Sequence, residues 1–265
     1  MHYTSIPLNM KLNESKGNMY EFITHTWNPI KGKCYHDCEY CYMKGINPNP
    51  TSIHLADNEF IGSFPANTFI FVDSSADLFS VDVPDEWINR VLDFCYNNTE
   101  HFQPSERPRF LIQTKNPARI LDFINHPLFA PERQQVVACT TIETNRHYPD
   151  IMNNAPLPQH RAEAMAEIAK RGIKTYVTIE PIMDFDLDEM VALIKMCKPE
   201  QVNIGANTYR TVELPEPNNA RQLINLILQL LCFTHLKIKK NLDGEKLTKA
   251  LIRDIKDGYS YEKRN

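Results

Sequence analysis

Short apolar segments alternate with amphipathic segments along most of the chain, and this alternation restricts the possible folds more than any other feature. The apolar segments are rich in β-branched and aromatic residues, which predicts strands. They cover residues 20–27, 68–73, 109–114, 135–141, 173–179 and 201–205. Between them, apolar residues recur three and four positions apart, as on the buried face of a helix. We therefore expect an α/β fold with a parallel sheet, built from six strand–helix units by right-handed crossovers.

The ends of the predicted helices carry recognisable signals. Asp82 is the expected N-cap of the helix after the second strand, and Asp186 with Glu189 has the spacing of a capping box. Gly172 fits the position that follows a helix. Further helices are expected to begin at Pro117 and to cover residues 159–171, 217–233 and 246–256.

The chain divides into three parts by composition. Its 265 residues suit one domain or slightly more. We expect an N-terminal arm over residues 1–20, a domain over residues 21–233 and a polar, basic tail over residues 234–265. From Phe233 onward there are nine Lys and Arg against five Asp and Glu, a net charge of +4, whereas the whole chain carries −4. The overall charge therefore does not indicate nucleic-acid binding, although the tail permits it.

Membrane and export signals are not recognised in the sequence. No run of eighteen apolar residues is present, so no membrane-spanning helix is expected. The first residues do not combine a basic flank with an apolar core, so no signal peptide is expected. Cys95, Cys139, Cys197 and Cys232 are widely spaced in apolar surroundings and are expected to be buried free thiols. These features together predict a cytoplasmic protein.

Three cysteines form the most distinctive motif of the sequence. Cys34, Cys38 and Cys41 fall within eight residues with the spacing C-x3-C-x2-C. Clustered thiolates are soft ligands that select zinc or iron–sulfur clusters. A complete cluster site usually has four cysteines, so three leave one metal position open for chemistry. A zinc site with His36 as its fourth ligand is the alternative.

The cysteine motif resembles the signature of the radical S-adenosylmethionine (radical SAM) superfamily, C-x3-C-x-aromatic-C, with Tyr40 as the aromatic residue. The resemblance implies that the three cysteines hold a [4Fe–4S] cluster, whose fourth iron binds the amino and carboxylate groups of S-adenosylmethionine. It also implies that Tyr40 lies beside the adenine. The implied fold is a partial (β/α)6 barrel of parallel strands with an open side. The six units of the sequence agree with it, since they are too few for a closed eightfold barrel.

Polar residues follow the predicted strands, at the edge where parallel α/β sheets bind their ligands. By the resemblance, Lys115 would pair with the methionine carboxylate, and Thr141 and Glu143 would bond to ribose hydroxyls. The turn after Glu180 would lie near the adenine. Many members carry Gly-Gly-Glu after the second strand as the contact to the methionine amino group. This chain instead has Asp73, Ser74 and Ser75.

Several sequence segments resemble one branch of the superfamily, a family of bacteriophages and bacteria that is related to the DNA repair enzyme spore photoproduct lyase. They include Thr-Trp-Asn-Pro, Phe-Val-Asp-Ser-Ser-Ala-Asp-Leu-Phe, Gln-Thr-Lys-Asn-Pro-Ala-Arg and Ile-Glu-Pro-Ile, and they lie within residues 24–210. The resemblance implies reductive cleavage of S-adenosylmethionine to a 5′-deoxyadenosyl radical, which takes a hydrogen atom from a substrate. An electron donor such as a flavodoxin is an implied partner.

The expected substrate is nucleic acid or a nucleotide. Arg146 with the surrounding loop 144–158, and the basic tail, are the expected contacts. A solvated polar loop is the competing interpretation of residues 144–158. A small metabolite or a peptide is the alternative substrate. A non-catalytic zinc or iron–sulfur binding protein is the alternative of another class. Cys139 is a candidate radical relay, for which a buried structural thiol is the competing interpretation.

Overall fold

A mostly parallel sheet forms the centre of the computed structural model, which describes residues 12–16, 19–207, 212–217 and 219–242. The described strands in chain order are β1 (Asn13–Glu14), β2 (His25–Trp27), β3 (Ile30–Lys31), β4 (His54–Leu55), β5 (Phe69–Val72), β6 (Arg109–Gln113), β7 (Val136–Thr141), β8 (Lys174–Ile179), β9 (Gln201–Ile204) and β10 (His235–Ile238). The central sheet contains all of them except β3 and β4, which pair with each other. The α-helices are α1 (Tyr42–Ile46), α2 (Asp85–Asn97), α3 (Pro149–Met152), α4 (Pro158–Lys170), α5 (Leu187–Met196) and α6 (Ala220–Leu231).

The strand order confirms the predicted fold class. The main sheet has eight strands in the order β1-β2-β5-β6-β7-β8-β9-β10, and β3 pairs with β4 in a two-stranded ladder. Among the described strands of the main sheet, β1 runs antiparallel to its neighbour and the other pairs are parallel. Within the described residues β1 and β10 are free edges, so the sheet is open. All the parallel strands deliver their carboxyl ends to one edge, where the loops that follow them meet.

The seventh parallel strand was not predicted. β10 lies in the segment assigned to the polar tail, yet its four residues pair in register with β9. Its sequence, His-Leu-Lys-Ile, has no run of apolar residues because only one of its edges is paired and most of its side chains are exposed. The main sheet therefore extends past residue 233, and β1 similarly adds residues from the predicted N-terminal arm.

The two faces of the sheet are buried in different ways. Alternate strand residues such as Ile70, Phe110 and Ala138 face α2, α4, α5 and α6 in the main apolar core. On the opposite face, Phe71 and Cys139 join a smaller cluster with residues 19–23, which pack across the sheet without a helix. The opposite face becomes polar toward the carboxyl ends of the strands, at Gln113 and Thr141.

Several helix ends differ from the predictions. The N-cap of α2 is Pro84, not Asp82, because Asp82 accepts a hydrogen bond from the Ser80 hydroxyl at 2.6 Å instead. Asp186 is the N-cap of α5, but its carboxylate makes no capping hydrogen bond, so the predicted capping box is wrong.

The outcomes of the other helix predictions differ from one helix to the next. Gly172 follows α4 with a φ of +79°, as predicted. The helix expected from Pro117 is a 3-10 helix, Pro117–Phe123. The helix expected over residues 246–256 lies outside the described residues. No helix in the described part of the chain is long and apolar enough to cross a membrane.

Candidate functional site

The three clustered cysteines lie on one loop between β3 and α1, beyond the carboxyl end of β2. Two tight turns shape this loop: the Asp37 amide donates to the Cys34 carbonyl at 3.3 Å, and the Cys41 amide donates to the Cys38 carbonyl at 3.1 Å. Cys38 is buried, whereas Cys34 and Cys41 are half-buried. Burial, the Asp77 carboxylate and the two neighbouring thiols all raise the pKa of the Cys34 thiol. Metal binding at this loop would therefore release protons.

A buried histidine–aspartate pair holds the cysteine loop against the sheet. His36 Nε2 lies 2.8 Å from Asp77 Oδ2, and both side chains are almost fully buried. The same carboxylate oxygen accepts the Lys115 amide at 2.8 Å, and Asp77 Oδ1 accepts the Phe79 amide at 3.0 Å. Burial opposes ionisation of Asp77, yet its interactions with His36 leave its pKa below the usual value. Asp77 thus links the cysteine loop to the carboxyl ends of β5 and β6.

The contacts of His36 are relevant to the alternative in which it is the fourth ligand of a zinc ion. Nε2 of His36 is engaged by Asp77, while Nδ1 is buried without a partner among the described residues. Within the same residues, no three His, Cys, Asp or Glu side chains are grouped so that they could hold one metal ion.

Three residues that the sequence singled out meet in one buried cluster beside Cys38. The Lys115 ammonium and the Tyr40 hydroxyl both donate to Glu143 Oε1, and Lys115 Nζ lies 2.9 Å from the Tyr40 oxygen. On the other side, Arg161 Nη1 donates to Glu143 Oε2 at 2.8 Å. Burial disfavours the charged carboxylate, but Arg161 and Lys115 hold the pKa of Glu143 far below its usual value. We call these four residues the charge cluster.

The charge cluster is electrostatically coupled to the cysteine loop. Burial raises the pKa of the Cys38 thiol, while the positive charges of Lys115 and Arg161 act against this rise. Lys115 is mostly buried, with 17% of its side chain exposed, and Glu143 is fully buried. Glu143 thus accepts hydrogen bonds from three protein donors, and Lys115 keeps a small exposed fraction.

The serine pair after β5 is held by Asn28. The Ser74 hydroxyl donates to Asn28 Oδ1 at 3.0 Å, and the Ser75 amide donates to the same oxygen at 3.2 Å. The Tyr42 hydroxyl, from the helix that follows the cysteines, donates to the Ser74 carbonyl. The two serines therefore lie beside the helix that follows the cysteine loop, and their contact to the methionine amino group stays a prediction.

Asp73 is buried at the turn that follows β5. Its φ of +55° is left-handed and turns the side chain inward, where Oδ1 accepts the Ile30 amide at 2.8 Å. The side chain is 2% exposed, and Oδ2 has no partner among the described residues. Burial, with Asp77 and Glu59 nearby, raises the pKa of Asp73 well above its usual value. In this structure Asp73 stabilises the turn into the cysteine loop.

We expect Asp73→Asn to stabilise the protein at neutral and higher pH. Because folding raises the pKa of Asp73, the wild type loses stability as the pH rises from about 4 through the folded-state pKa. Asparagine keeps the acceptor for Ile30, tolerates a positive φ and has no charge to bury. The difference in unfolding free energy between variant and wild type should grow from near zero at low pH and then level off. Urea titrations across this pH range measure it, and a less stable variant at pH 8 would contradict the assignment.

The side chains of Glu180 and Thr141 bond to partners outside the four residues of the charge cluster. Glu180 follows β8 and binds Lys239 Nζ at 2.6 Å and Asn241 Nδ2 at 2.9 Å, both from the segment after β10. A Cβ at Gly205 would lie 2.8 Å from the Glu180 carboxyl carbon, so this corner is tightly packed. The Thr141 hydroxyl accepts a long hydrogen bond of 3.5 Å from Gln113.

The loop predicted to contact nucleic acid is fastened to the start of α5. Arg146 Nε and Nη2 donate to the Asp186 carboxylate at 2.8 and 2.6 Å, and Nη1 pairs with Asp184. Asn145 bonds to Asp186 as well. Two carboxylates therefore neutralise the guanidinium that we expected to be available for phosphate.

Arg161 was not recognised in the sequence, although a signal was present. Arg161, Met165 and Ile168 are spaced on one helical face, and all are fully buried. A charged residue on an apolar face indicates a buried partner. The remaining cysteines follow the prediction except one: Cys95, Cys139 and Cys197 are buried, but Cys232 is exposed at the end of α6. Cys139 Sγ lies 3.6 Å from the Gln113 side-chain oxygen.

Comparisons with known proteins agree on the fold. No protein-family model and no curated protein matches the chain. Among solved structures, a spore photoproduct lyase variant with bound S-adenosylmethionine and dinucleoside spore photoproduct matches with a TM-score of 0.59 and 12% identity, over 84% of this chain and 78% of the other. A second variant, with dinucleoside spore photoproduct, matches with a TM-score of 0.62 and 11% identity, over 86% of this chain and 78% of the other.

A match of lower score extends the comparison. SuiB from Streptococcus suis, bound to S-adenosylmethionine, has a TM-score of 0.50 and 11% identity, over 80% of this chain and 49% of its own. Spore photoproduct lyase and SuiB are both radical SAM enzymes. The chain thus has the fold of radical SAM enzymes, which confirms the open partial barrel predicted from the sequence.

Proposed function

We propose that the protein is a radical SAM enzyme, which carries a [4Fe–4S] cluster on Cys34, Cys38 and Cys41 and cleaves S-adenosylmethionine reductively to start a radical reaction. One observation carries the proposal. In a chain with the fold of radical SAM enzymes, the cysteine loop lies at the carboxyl ends of the parallel strands and beside the charge cluster. That edge is where α/β proteins of this kind bind ligands.

The residues of the loop fit an iron–sulfur cluster. The three thiols lie on one loop, and Cys38 and Cys41 both interact electrostatically with Cys34. They form a soft donor set of the kind that iron–sulfur clusters use. Lys115 and Arg161 place positive charge beside Cys38, which compensates for the negative charge of bound thiolates. When bound, the cluster would supply the electron that cleaves the sulfonium, and an external donor such as a flavodoxin would replace it.

The chain's own groups would bind and orient the cofactor. The Lys115 ammonium, on a side chain that is 17% exposed, offers a partly desolvated cation for the methionine carboxylate. The Tyr40 ring is held by its hydrogen bond to Glu143 and has the Lys115 ammonium over it, 4.9 Å from the ring centroid, and it would lie beside the adenine. The His36–Asp77 pair fixes the loop relative to the Lys115 backbone. Ser74 and Ser75 supply polar groups at the same edge.

Anaerobic reconstitution tests this proposal. The protein should bind about four irons with matching sulfide, and its electron paramagnetic resonance spectrum in the reduced state should change when S-adenosylmethionine is added. Stoichiometric zinc without iron would favour the zinc-binding alternative. A cluster whose spectrum ignores S-adenosylmethionine would favour a non-catalytic iron–sulfur protein.

For the substrate, we propose nucleic acid or a nucleotide. The support is the fold match to spore photoproduct lyase, whose solved structure contains a dinucleoside spore photoproduct. The competing substrate class is a peptide, because SuiB, with the same fold, has been solved with its precursor peptide SuiA. Neither match carries over a substrate by itself.

Salt dependence distinguishes these substrate classes. Binding of DNA or RNA to the reconstituted protein should weaken on the order of tenfold or more between about 50 and 200 mM salt, since counterions are released. Truncation after Leu242 removes six Lys and Arg together with five Asp and Glu, a net charge of +1. It should weaken binding more than Arg146→Ala, because Asp184 and Asp186 already neutralise Arg146. Fluorescence anisotropy measures both effects. An absence of binding to DNA and RNA at low salt would move the assignment to a peptide or a small molecule.

A further inference from the structure

Arg161 is a full positive charge in the interior of the protein. The side chain is completely buried in α4, among residues that are otherwise apolar or small. Burial of a guanidinium is costly unless hydrogen bonds and an opposite charge compensate for it. The hydrogen bonds of Arg161 and its ion pair with Glu143 therefore have to offset this cost.

The guanidinium joins three segments that meet at the site. Nε donates to the Pro156 carbonyl at 2.7 Å, and Nη1 donates to the Thr141 carbonyl at 2.9 Å and to Glu143 Oε2 at 2.8 Å. Thr141 ends β7 and Pro156 precedes α4, so Arg161 ties together both ends of the long connection between them. The planar fork of an arginine can reach these acceptors at once, which a lysine cannot.

Arg161 also determines the charge balance around Lys115. The charge cluster contains two cations and one carboxylate, so it retains one net positive charge. Without Arg161, Glu143 and Lys115 would form a neutral buried pair, and the ammonium would be drawn fully onto the carboxylate. With Arg161 bound to Oε2, Lys115 and Tyr40 share Oε1, and the Lys115 side chain stays 17% exposed.

We propose that Arg161 is a positioning residue of the cofactor site. Its guanidinium fixes the Glu143 carboxylate, and through Glu143 it fixes the Lys115 ammonium and the Tyr40 ring for binding of S-adenosylmethionine. This proposal rests on the proposed function. The competing explanation is that Arg161 only stabilises the junction between β7 and α4.

A double-mutant cycle separates the two explanations. We expect Arg161→Met to weaken binding of S-adenosylmethionine to the reconstituted protein by tenfold or more, and Arg161→Lys by less. Since Arg161 acts through Glu143, the same Arg161→Met change made in a Glu143→Gln protein should cost less than threefold. Calorimetry gives the affinities, and iron content and thermal melting of each variant show that cluster and fold are retained.

A matched control is available in the chain. Arg133 is also mostly buried and pairs with Glu100 at 2.7 Å, but it precedes β7 at the opposite end of the strand. Arg133→Met should leave the affinity unchanged while lowering thermal stability.

Each outcome has a defined meaning. Unchanged affinity in Arg161→Met, or an equal loss with and without Glu143, would overturn the proposal. If Arg161→Met does not fold, Arg161→Lys and the Glu143→Gln, Arg161→Met double variant, which removes both buried charges, decide it by the same criteria. Wild-type protein that carries the cluster but does not bind S-adenosylmethionine would instead refute the proposed function.

Discussion

Alanine in place of Cys34, Cys38 or Cys41 should each reduce the iron content of the anaerobically reconstituted protein from about four per chain to near zero. Each thiolate would bind a different iron, and the chain offers no adjacent thiol to replace it, since the next cysteine in sequence, Cys95, lies buried in the main core. Iron and sulfide analysis, with the visible absorbance of the cluster, measures the effect.

Controls for the cysteine variants come from the same chain. Cys95→Ala and Cys197→Ala remove buried thiols on the face of the sheet that the helices cover, so they should lower stability slightly and keep the full iron content. Circular dichroism checks that every variant is folded. Retention of iron after loss of a loop cysteine, or its loss in folded Cys95→Ala, would contradict the ligand assignment.

Lys115→Ala should weaken binding of S-adenosylmethionine roughly 10- to 150-fold without loss of the cluster. The expected loss corresponds to about 1.5–3 kcal/mol for a charge-assisted hydrogen bond in a partly desolvated site. Folding should survive, because Glu143 keeps its ion pair with Arg161. Isothermal titration calorimetry on reconstituted protein measures the affinity.

Lys174 provides the comparison for Lys115. It begins β8, at the opposite end of the strands, and pairs with Glu200 at 3.4 Å. Lys174→Ala should therefore bind S-adenosylmethionine like the wild type. If Lys115→Ala also kept wild-type affinity, Lys115 would have no part in the cofactor site, and the charge cluster would be a structural element only.

The fold was largely predictable because its central strands carry local signals. β5 through β9 are apolar runs bounded by turns, and burial on both faces makes such runs stand out. β10 carries no such signal, because a half-paired edge strand can be as polar as a tail. The left-handed turn that buries Asp73 was not predictable either, since its acceptor role depends on the Ile30 amide, 43 residues away.

Several residues of the candidate site were named one by one from the sequence, but the contacts between them were not predicted. The cysteine spacing and the polar strand ends identified Tyr40, Lys115 and Glu143 separately. Their assembly depends on two buried pairs, Arg161 with Glu143 and His36 with Asp77. The partners are 18 residues apart in the first pair and 41 residues apart in the second. No spacing rule links such pairs, because the sheet and its crossovers bring them together.

The most direct test of the central claim is product analysis after reduction. Reconstituted protein, incubated anaerobically with S-adenosylmethionine and excess dithionite, should form 5′-deoxyadenosine and methionine in equal amounts, detected by mass spectrometry. Omission of the reductant, or use of Cys38→Ala protein, should abolish both products. If protein with a complete cluster and bound S-adenosylmethionine formed no 5′-deoxyadenosine, the assignment as a radical SAM enzyme would be wrong.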